Sequence, residues 1–237
     1  MSNDPGIEVM IPAGKDFPET PAYAVLPPGA TRGMVVIHEI LGRRPDIDRV
    51  VQRFAAKGYA AVEPELFRAP SVFACIRRTM EAVHTGKGPV VHQASAIRSW
   101  LCEQTGIEER KVGIIGFCFG GGFALAVGRG WGAVSTNYGM IPIRREVLRG
   151  MGPTIGCYGG RDRPMRGSGA RLEERLKAVG VEVESHTFEE AGHAFLTDGH
   201  HPVLSYLGRP LTHVEYRADI AEEAWRRIFA FFDRHLA

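Results

Sequence analysis

Five residues, Gly116-Phe117-Cys118-Phe119-Gly120, constrain this chain more than any others. The apolar run Val112-Gly113-Ile114-Ile115 leads into them, and Gly121-Gly122-Phe123-Ala124-Leu125-Ala126-Val127 leads out. The pattern predicts a strand that turns sharply into a helix with one cysteine at the corner. Glycine is required two places to either side of that cysteine. Strand and helix approach closely there, no bulky Cβ fits, and the corner residue itself takes a strained backbone conformation. Such a turn holds the sulfur clear of the sheet edge, with the first helical N–H groups and the positive end of the helix dipole pointing at it. A thiolate and an oxyanion are both favoured at that spot. The competing reading is a buried structural cysteine in an apolar core helix, the usual fate of a free thiol.

A nucleophile on a turn of this kind is followed along the chain first by Asp or Glu, then by His. Thr154-Ile155-Gly156-Cys157-Tyr158 reads as a short strand, and Gly159-Gly160-Arg161-Asp162 turns out of it, which puts Asp162 on a loop at the carboxyl end. Val181 to Phe188 alternates like the next strand, and Ala191-Gly192-His193-Ala194-Phe195 comes after it, making His193 the expected base. A lone loop Asp or His is usually only solvated, and the chain has nine histidines. Three residue types in the required order outweigh that. His200 and His201 beside His193 suggest a metal site only weakly, because neither H-x-x-x-H spacing nor a carboxylate pair supports it.

With these residues stand His38-Glu39-Ile40-Leu41-Gly42 after an apolar strand, Pro64-Glu65-Leu66-Phe67-Arg68, Gly160-Arg161-Asp162, and Glu189-Glu190-Ala191-Gly192-His193-Ala194-Phe195. Over nearly its whole length the chain resembles the dienelactone hydrolase family of α/β-hydrolases. The resemblance implies an α/β-hydrolase fold, a mostly parallel central sheet with helices on both faces, formed by residues 1–237 as one domain. It implies Cys118, Asp162 and His193 as a triad, and Glu39 as a further carboxylate that contacts the resting thiol. A thiol of ordinary pKa is only a few per cent ionised at neutral pH, whereas a permanent thiolate–imidazolium pair is always open to oxidation. A carboxylate that takes the thiol proton only when substrate displaces it ties activation to binding. The alternative use of Glu39 is a salt bridge to Arg43 or Arg44.

The oxyanion donors expected are the main-chain N–H groups of Phe119 and Ile40. Phe67, Phe117, Phe119 and Phe195 are candidates for the pocket wall, with core packing the alternative for each. In the family's best-known activity two arginines hold a substrate carboxylate. Arg68 offers the first, and Thr197 stands where the second is expected. A hydroxyl does not replace a bidentate guanidinium, so half of the clamp is missing. Arg161, Arg163 and Arg166 are possible substitutes from the acid loop, with surface solvation their ordinary use.

The chain has 237 residues, 44% hydrophobic and 24% charged, enough for one sizeable core, and a formal net charge of only +2. Its basic residues are scattered, which argues against nucleic acid. Cys75, Cys102, Cys118 and Cys157 show neither metal nor disulfide-framework spacing and suit a reducing cytoplasm. The first five residues lack the features of a secretory signal. The uncharged run Val112 to Gly128 is too short and glycine-rich for a membrane span and reads as buried strand plus helix.

Along the chain, Ile7–Ile11 and Tyr23–Leu26 suggest an antiparallel pair and Gly33–His38 the next strand. Asp46 is the expected cap of a helix closed by Gly58, and Tyr59–Val62 is a strand. Ser71 to Gln104 reads as helical with a break at residues 85–89, Ala133–Asn137 as a strand, and Ser168 as the start of a helix ended by Gly180. Thr212 and Glu215 are expected to form a capping box for the last helix. The reading is a cysteine hydrolase of small carboxylic esters or lactones that needs no metal or organic cofactor and leaves monomer or homodimer open. The rival is a ligand-binding or regulatory protein that keeps the fold but has lost turnover.

Overall fold

The computed structural model describes residues 6–40, 42–66, 72–199 and 211–237, with the backbone alone for 72–76. Phe67, Arg68, His200 and His201 lie outside these described residues. In chain order the elements are β1 (Ile7–Ile11), β2 (Thr20–Val25), β3 (Arg32–Ile37), α1 (Pro45–Ala55), β4 (Tyr59–Pro64), α2 (Val72–Thr85), α3 (Pro89–Thr105), β5 (Val112–Phe117), α4 (Phe119–Val127), β6 (Ala133–Asn137), α5 (Arg145–Leu148), β7 (Thr154–Gly159), α6 (Ser168–Lys177), β8 (Val183–Phe188) and α7 (Ala218–His235). Eight strands form one sheet in the order β1-β2-β4-β3-β5-β6-β7-β8. β1, β2 and β4 pair antiparallel, and every pair from β4 through β3, β5, β6 and β7 to β8 is parallel.

The inner parallel strands β3, β5 and β7 are covered on both faces and read as largely apolar runs without alternation; the edge strand β8 is only half-buried and alternates. Successive residues still serve opposite layers. Val35, Ile37 and Ile114 pack with α3, α4 and α6 through Ile97, Leu101, Phe123, Leu172 and Leu176. Met34, Val36 and Ile115 pack with α1 and α7 through Val51, Phe54, Trp225, Ile228 and Phe232. In the second layer the Phe54 ring meets Tyr59, Trp225, Phe229 and Phe232 at centroid distances of 5.0–6.1 Å. Each such pair contributes about 0.5–1.5 kcal/mol beyond area burial. These aromatics lock α7 to α1 and so fix the loops at the carboxyl edge.

Two helix starts differ from expectation. α1 begins at Pro45, whose ring presets the first helical φ, and Arg44 takes the cap position. Asp46 is inside the first turn, buried and 3.5 Å from the Arg44 guanidinium. The last helix begins at Ala218 with Arg217 at its cap, so Thr212 and Glu215 do not cap it. The Thr212 carbonyl is used elsewhere: it accepts the His193 N–H at 2.7 Å. Gly58 and Gly180 end their helices as expected, with φ of 83° and 76°. Among the described residues no helix is long and apolar enough to cross a membrane.

Candidate active site

β5 ends at Phe117 and α4 begins at Phe119, which leaves Cys118 alone at the corner with φ 53° and ψ −115°. That is a left-handed region L-residues seldom occupy, at a typical cost of about 1–3 kcal/mol. Close approach explains the flanking glycines. A methyl on Gly116 would come within 2.8 Å of Gly121 N and nearer still to the Gly120 carbonyl. One on Gly120 would stand 2.6 Å from Ile37 O and nearer still to His38 O. The start of α4 therefore rests directly on the end of β3, and Phe119 and Ile40 belong to two segments in contact. The corner is pinned by the Cys118 N–H to Asn137 O bond, 2.9 Å, and by Asn137 Nδ2 donating to Gly116 O at 3.0 Å.

Asp162 and His193 come together from separate loops. Asp162 follows β7, is fully buried, and lies 2.6 Å through Oδ2 from His193 Nδ1. The histidine loop is pressed against the end of β7. A methyl on Gly159 would stand 2.6 Å from Ala191 O, and one on Gly192 would stand 2.7 Å from Thr212 O. The Trp225 indole N–H donates to Leu196 O at 3.2 Å and ties the same loop to α7. Burial alone would push the His193 pKa down. The hydrogen bonds to Asp162 and to Cys118, with their electrostatic attraction, outweigh it and lift it to about 10. The imidazole thus stands between a carboxylate and a sulfur.

Glu39 lies in the loop after β3. Its Oε1 is buried without a hydrogen-bond partner. Burial raises its pKa, opposed by the charge of His193, which places the carboxyl in the field of the imidazole. The alternative ion pairs are taken up elsewhere: Arg43 is held by Glu8 and Asp48, and Arg44 by Asp46. His38 explains how Glu39 is carried. Its ring is fully buried and its pKa falls to about 4, burial being the main cause, so it is neutral. Nδ1 lies 2.7 Å from Glu39 O, and Nε2 accepts the Leu66 N–H at 3.2 Å. The ring is a strut between the loops after β3 and β4.

Tyr138 is a residue the sequence reading missed. It follows β6 with φ 44° and is completely buried, its ring 5.0 Å from that of His193. Burial, then the charges of Glu39 and Cys118, hold its hydroxyl in the neutral form. Thr197 is buried beside that hydroxyl, the two lying side by side outside hydrogen-bond geometry. Thr197 therefore faces the interior of the site. Phe117 and Phe195 are fully buried; Phe195 packs on Tyr138 and Phe188 and backs the wall instead of lining it. The available signal for Tyr138 was its place directly after the strand next to the nucleophile's strand. Among the described residues no group of His, Cys, Asp and Glu side chains is placed to hold a metal ion.

The sequence model of the dienelactone hydrolase family matches residues 20–236. A Yersinia pestis protein bearing the provisional name carboxymethylenebutenolidase is 27% identical over 96% of this chain and 88% of its own length. The carboxymethylenebutenolidase of Rhodococcus opacus is 25% identical over 88% of this chain and 83% of its own. The crystal structure of a dienelactone hydrolase-like promiscuous phosphotriesterase from metagenomic libraries superposes with a TM-score of 0.79 at 21% identity, covering 97% of this chain and 98% of that one.

Proposed function

Since the chain belongs to the dienelactone hydrolase family and is a hydrolase of the ester and lactone class, we propose that it cleaves small carboxylic esters or lactones through a thioester acyl-enzyme on Cys118. The observation that carries this reading is the buried line from Asp162 through the His193 imidazole to a cysteine held in a left-handed corner.

In the proposed sequence Glu39 takes the proton of the Cys118 thiol when substrate enters. Its raised pKa brings it closer to that of a thiol, as an efficient proton acceptor requires. The thiolate attacks the carbonyl carbon, and the oxyanion is received by the N–H groups of Ile40 and Phe119. Each such donor is typically worth about 2.7–4 kcal/mol of transition-state stabilisation. As the tetrahedral intermediate collapses, His193 gives its proton to the leaving alkoxide, with Asp162 holding the ring in place. The now neutral imidazole deprotonates water, which attacks the thioester and expels the Cys118 thiolate, and Glu39 returns its proton to the sulfur as the acid product leaves. The Tyr138 hydroxyl stays neutral beside them, since an ionised phenol there would be repelled by the charges of Glu39 and the sulfur.

The other described thiols are poor rivals. Burial pushes Cys157 up to about 12, and burial also raises Cys102. Aryl esters and lactones assayed with the wild type should be turned over. Cys118→Ala should lose roughly 10³-fold or more, while Cys75→Ser, Cys102→Ser and Cys157→Ser keep most activity. Full activity in Cys118→Ala would exclude the mechanism.

A further inference from the structure

We propose that His38 is the positioning residue of the oxyanion site: its ring holds the Glu39 carbonyl so that the Ile40 N–H, at the other end of the same peptide unit, points at the developing oxyanion. The inference rests on the hydrolase reading of Cys118 and on Ile40 as one of its two donors. The ring makes two hydrogen bonds of opposite sense. A carbonyl only accepts, so the Nδ1 that lies 2.7 Å from Glu39 O carries the ring proton. A main-chain N–H only donates, so Nε2, 3.2 Å from Leu66 N, presents its lone pair. A single neutral tautomer satisfies both.

Peptide planarity turns the first of these bonds into a direction. No peptide among the described residues is cis, and in a trans unit the C=O and the N–H point opposite ways. A Glu39 carbonyl drawn onto the His38 ring therefore aims the Ile40 N–H away from that ring, which is fully buried. The Gly42 N–H donates to the same oxygen at 3.2 Å, so the peptide is anchored on its carbonyl side. Among the described residues no main-chain carbonyl accepts the Ile40 N–H, which leaves that donor to a substrate oxygen.

Both ends of the residue are braced against other parts of the site. Leu66 follows Glu65, whose N–H donates to Pro21 O of β2 at 2.8 Å, so the partner of Nε2 is fixed to the sheet 28 residues further along the chain. On the main-chain side, a methyl on Gly120 would strike the His38 carbonyl, which therefore lies against the first turn of α4. Phe119, the second donor, directly precedes that glycine. One residue thus abuts the segment of the second donor with its carbonyl and orients the first with its ring. Without the Nδ1–H the Glu39–Ile40 peptide keeps the Gly42 bond alone and is free to tilt about it. Loss of one oxyanion donor costs about 10²–10³-fold in rate, and the effect of that tilt is expected on this scale.

The test separates the two ring nitrogens. The amide nitrogen of Asn stands at the δ position and replaces Nδ1–H, whereas the amide oxygen of Gln stands at the ε position and replaces Nε2. Each variant loses one buried hydrogen bond, so a merely structural role predicts similar falls in Tm and the same kcat for both. With 4-nitrophenyl acetate, His38→Gln should instead lower kcat about 10²-fold with KM little changed, and His38→Asn should recover most of it. Acylation and deacylation each pass through an oxyanion, so the loss appears in kcat whichever step limits. Trifluoroacetophenone reports the same donors at equilibrium by ¹⁹F NMR: the Cys118 thiolate bonds to its carbonyl carbon, and the π pair moves to oxygen as an oxyanion. Its Kd should rise about 10²-fold in His38→Gln and little in His38→Asn, while alkylation of Cys118 by iodoacetamide, which develops no oxyanion, keeps its rate in both. Where His38→Gln does not fold, His38→Leu, which fills the δ positions of Asn without an N–H, takes its place. Equal kcat or equal ketone affinity in the two variants overturns the assignment even if wild-type turnover depends on Cys118. A wild type that turns over no ester overturns the hydrolase reading; a ketone Kd that still separates the two variants then supports His38 as the residue that aims the donor, and one that does not, or the absence of any adduct, overturns it.

Discussion

Adding a single methyl at Gly120 tests whether the contact between β3 and α4 sets the oxyanion geometry. In Gly120→Ala the new carbon would stand 2.6 Å from Ile37 O, against an ordinary van der Waals distance of 3.4 Å or more, and His38 O is nearer still. Both obstacles are backbone, so no side chain can swing aside. The segment carrying Ile40 has to move away from the start of α4 by at least about 0.8 Å, the shortfall at Ile37 O, and by more to clear His38 O. Misplacement on this scale costs about 10²-fold in rate, close to the 10²–10³ for loss of one oxyanion donor. Overpacking costs about 1–3 kcal/mol, of which the better helix propensity of Ala returns up to about 1 kcal/mol. Net destabilisation of about 1–2 kcal/mol lowers Tm by a few degrees in a chain of this size. Gly122→Ala is the control. Its one tight contact is Met140 O at 3.1 Å, a gap that a few tenths of an ångström restores, with Met140 N and Cβ at the ordinary distances of 3.5 and 3.6 Å, so stability should stay within about 0.5 kcal/mol. The assay is kcat for an activated ester together with Tm for both variants. Equal kcat in the two would refute the claim that the backbone contact at Gly120 positions the donors.

Two further substitutions probe the buried carboxyls. Glu39→Gln keeps the shape but removes the proton acceptor; acylation should fall by roughly 10²–10⁴-fold with Tm unchanged or slightly raised, because a buried oxygen without a partner no longer carries charge. Unimpaired turnover would remove Glu39 from the mechanism. Glu63, on β4, is fully buried with both oxygens unpartnered, and burial beside Asp48 raises its pKa well above the usual 4.5. Such an acid stabilises the fold while protonated in both states below that value, and the contribution is lost as pH rises through the higher folded pKa. Glu63→Gln stays neutral and offers Asp48 an N–H, so the Tm gap between variant and wild type should be small at pH 5 and widen towards pH 8. A gap independent of pH would mean that Glu63 does not titrate as described.

What the sequence determined by itself was whatever depends on local sterics or on order along the chain. The turn at Cys118 is dictated by glycines that leave no room for a Cβ, and the same glycines, read as letters, identify the corner. The strands β5 and β7 follow from short uncharged runs, because a parallel strand covered on both faces excludes charge whatever its neighbours are. Asp162 and His193 stand in order after their strands, and the structure brings them to 2.6 Å of each other. The helix starts were less legible: Asp46 and Thr212 have the right chemistry for caps, but Pro45 and the Thr212–His193 backbone bond decide otherwise. Only the tertiary structure revealed His38 as a neutral strut, Tyr138 against the His193 ring, and the Glu63–Asp48 neighbourhood. Each of these depends on which segments, tens of residues apart, the sheet order sets side by side. Desolvation, the largest influence on the titration of His38, Glu39 and Tyr138, is likewise a property of the packed whole, because it is set by every atom that replaces water around the group.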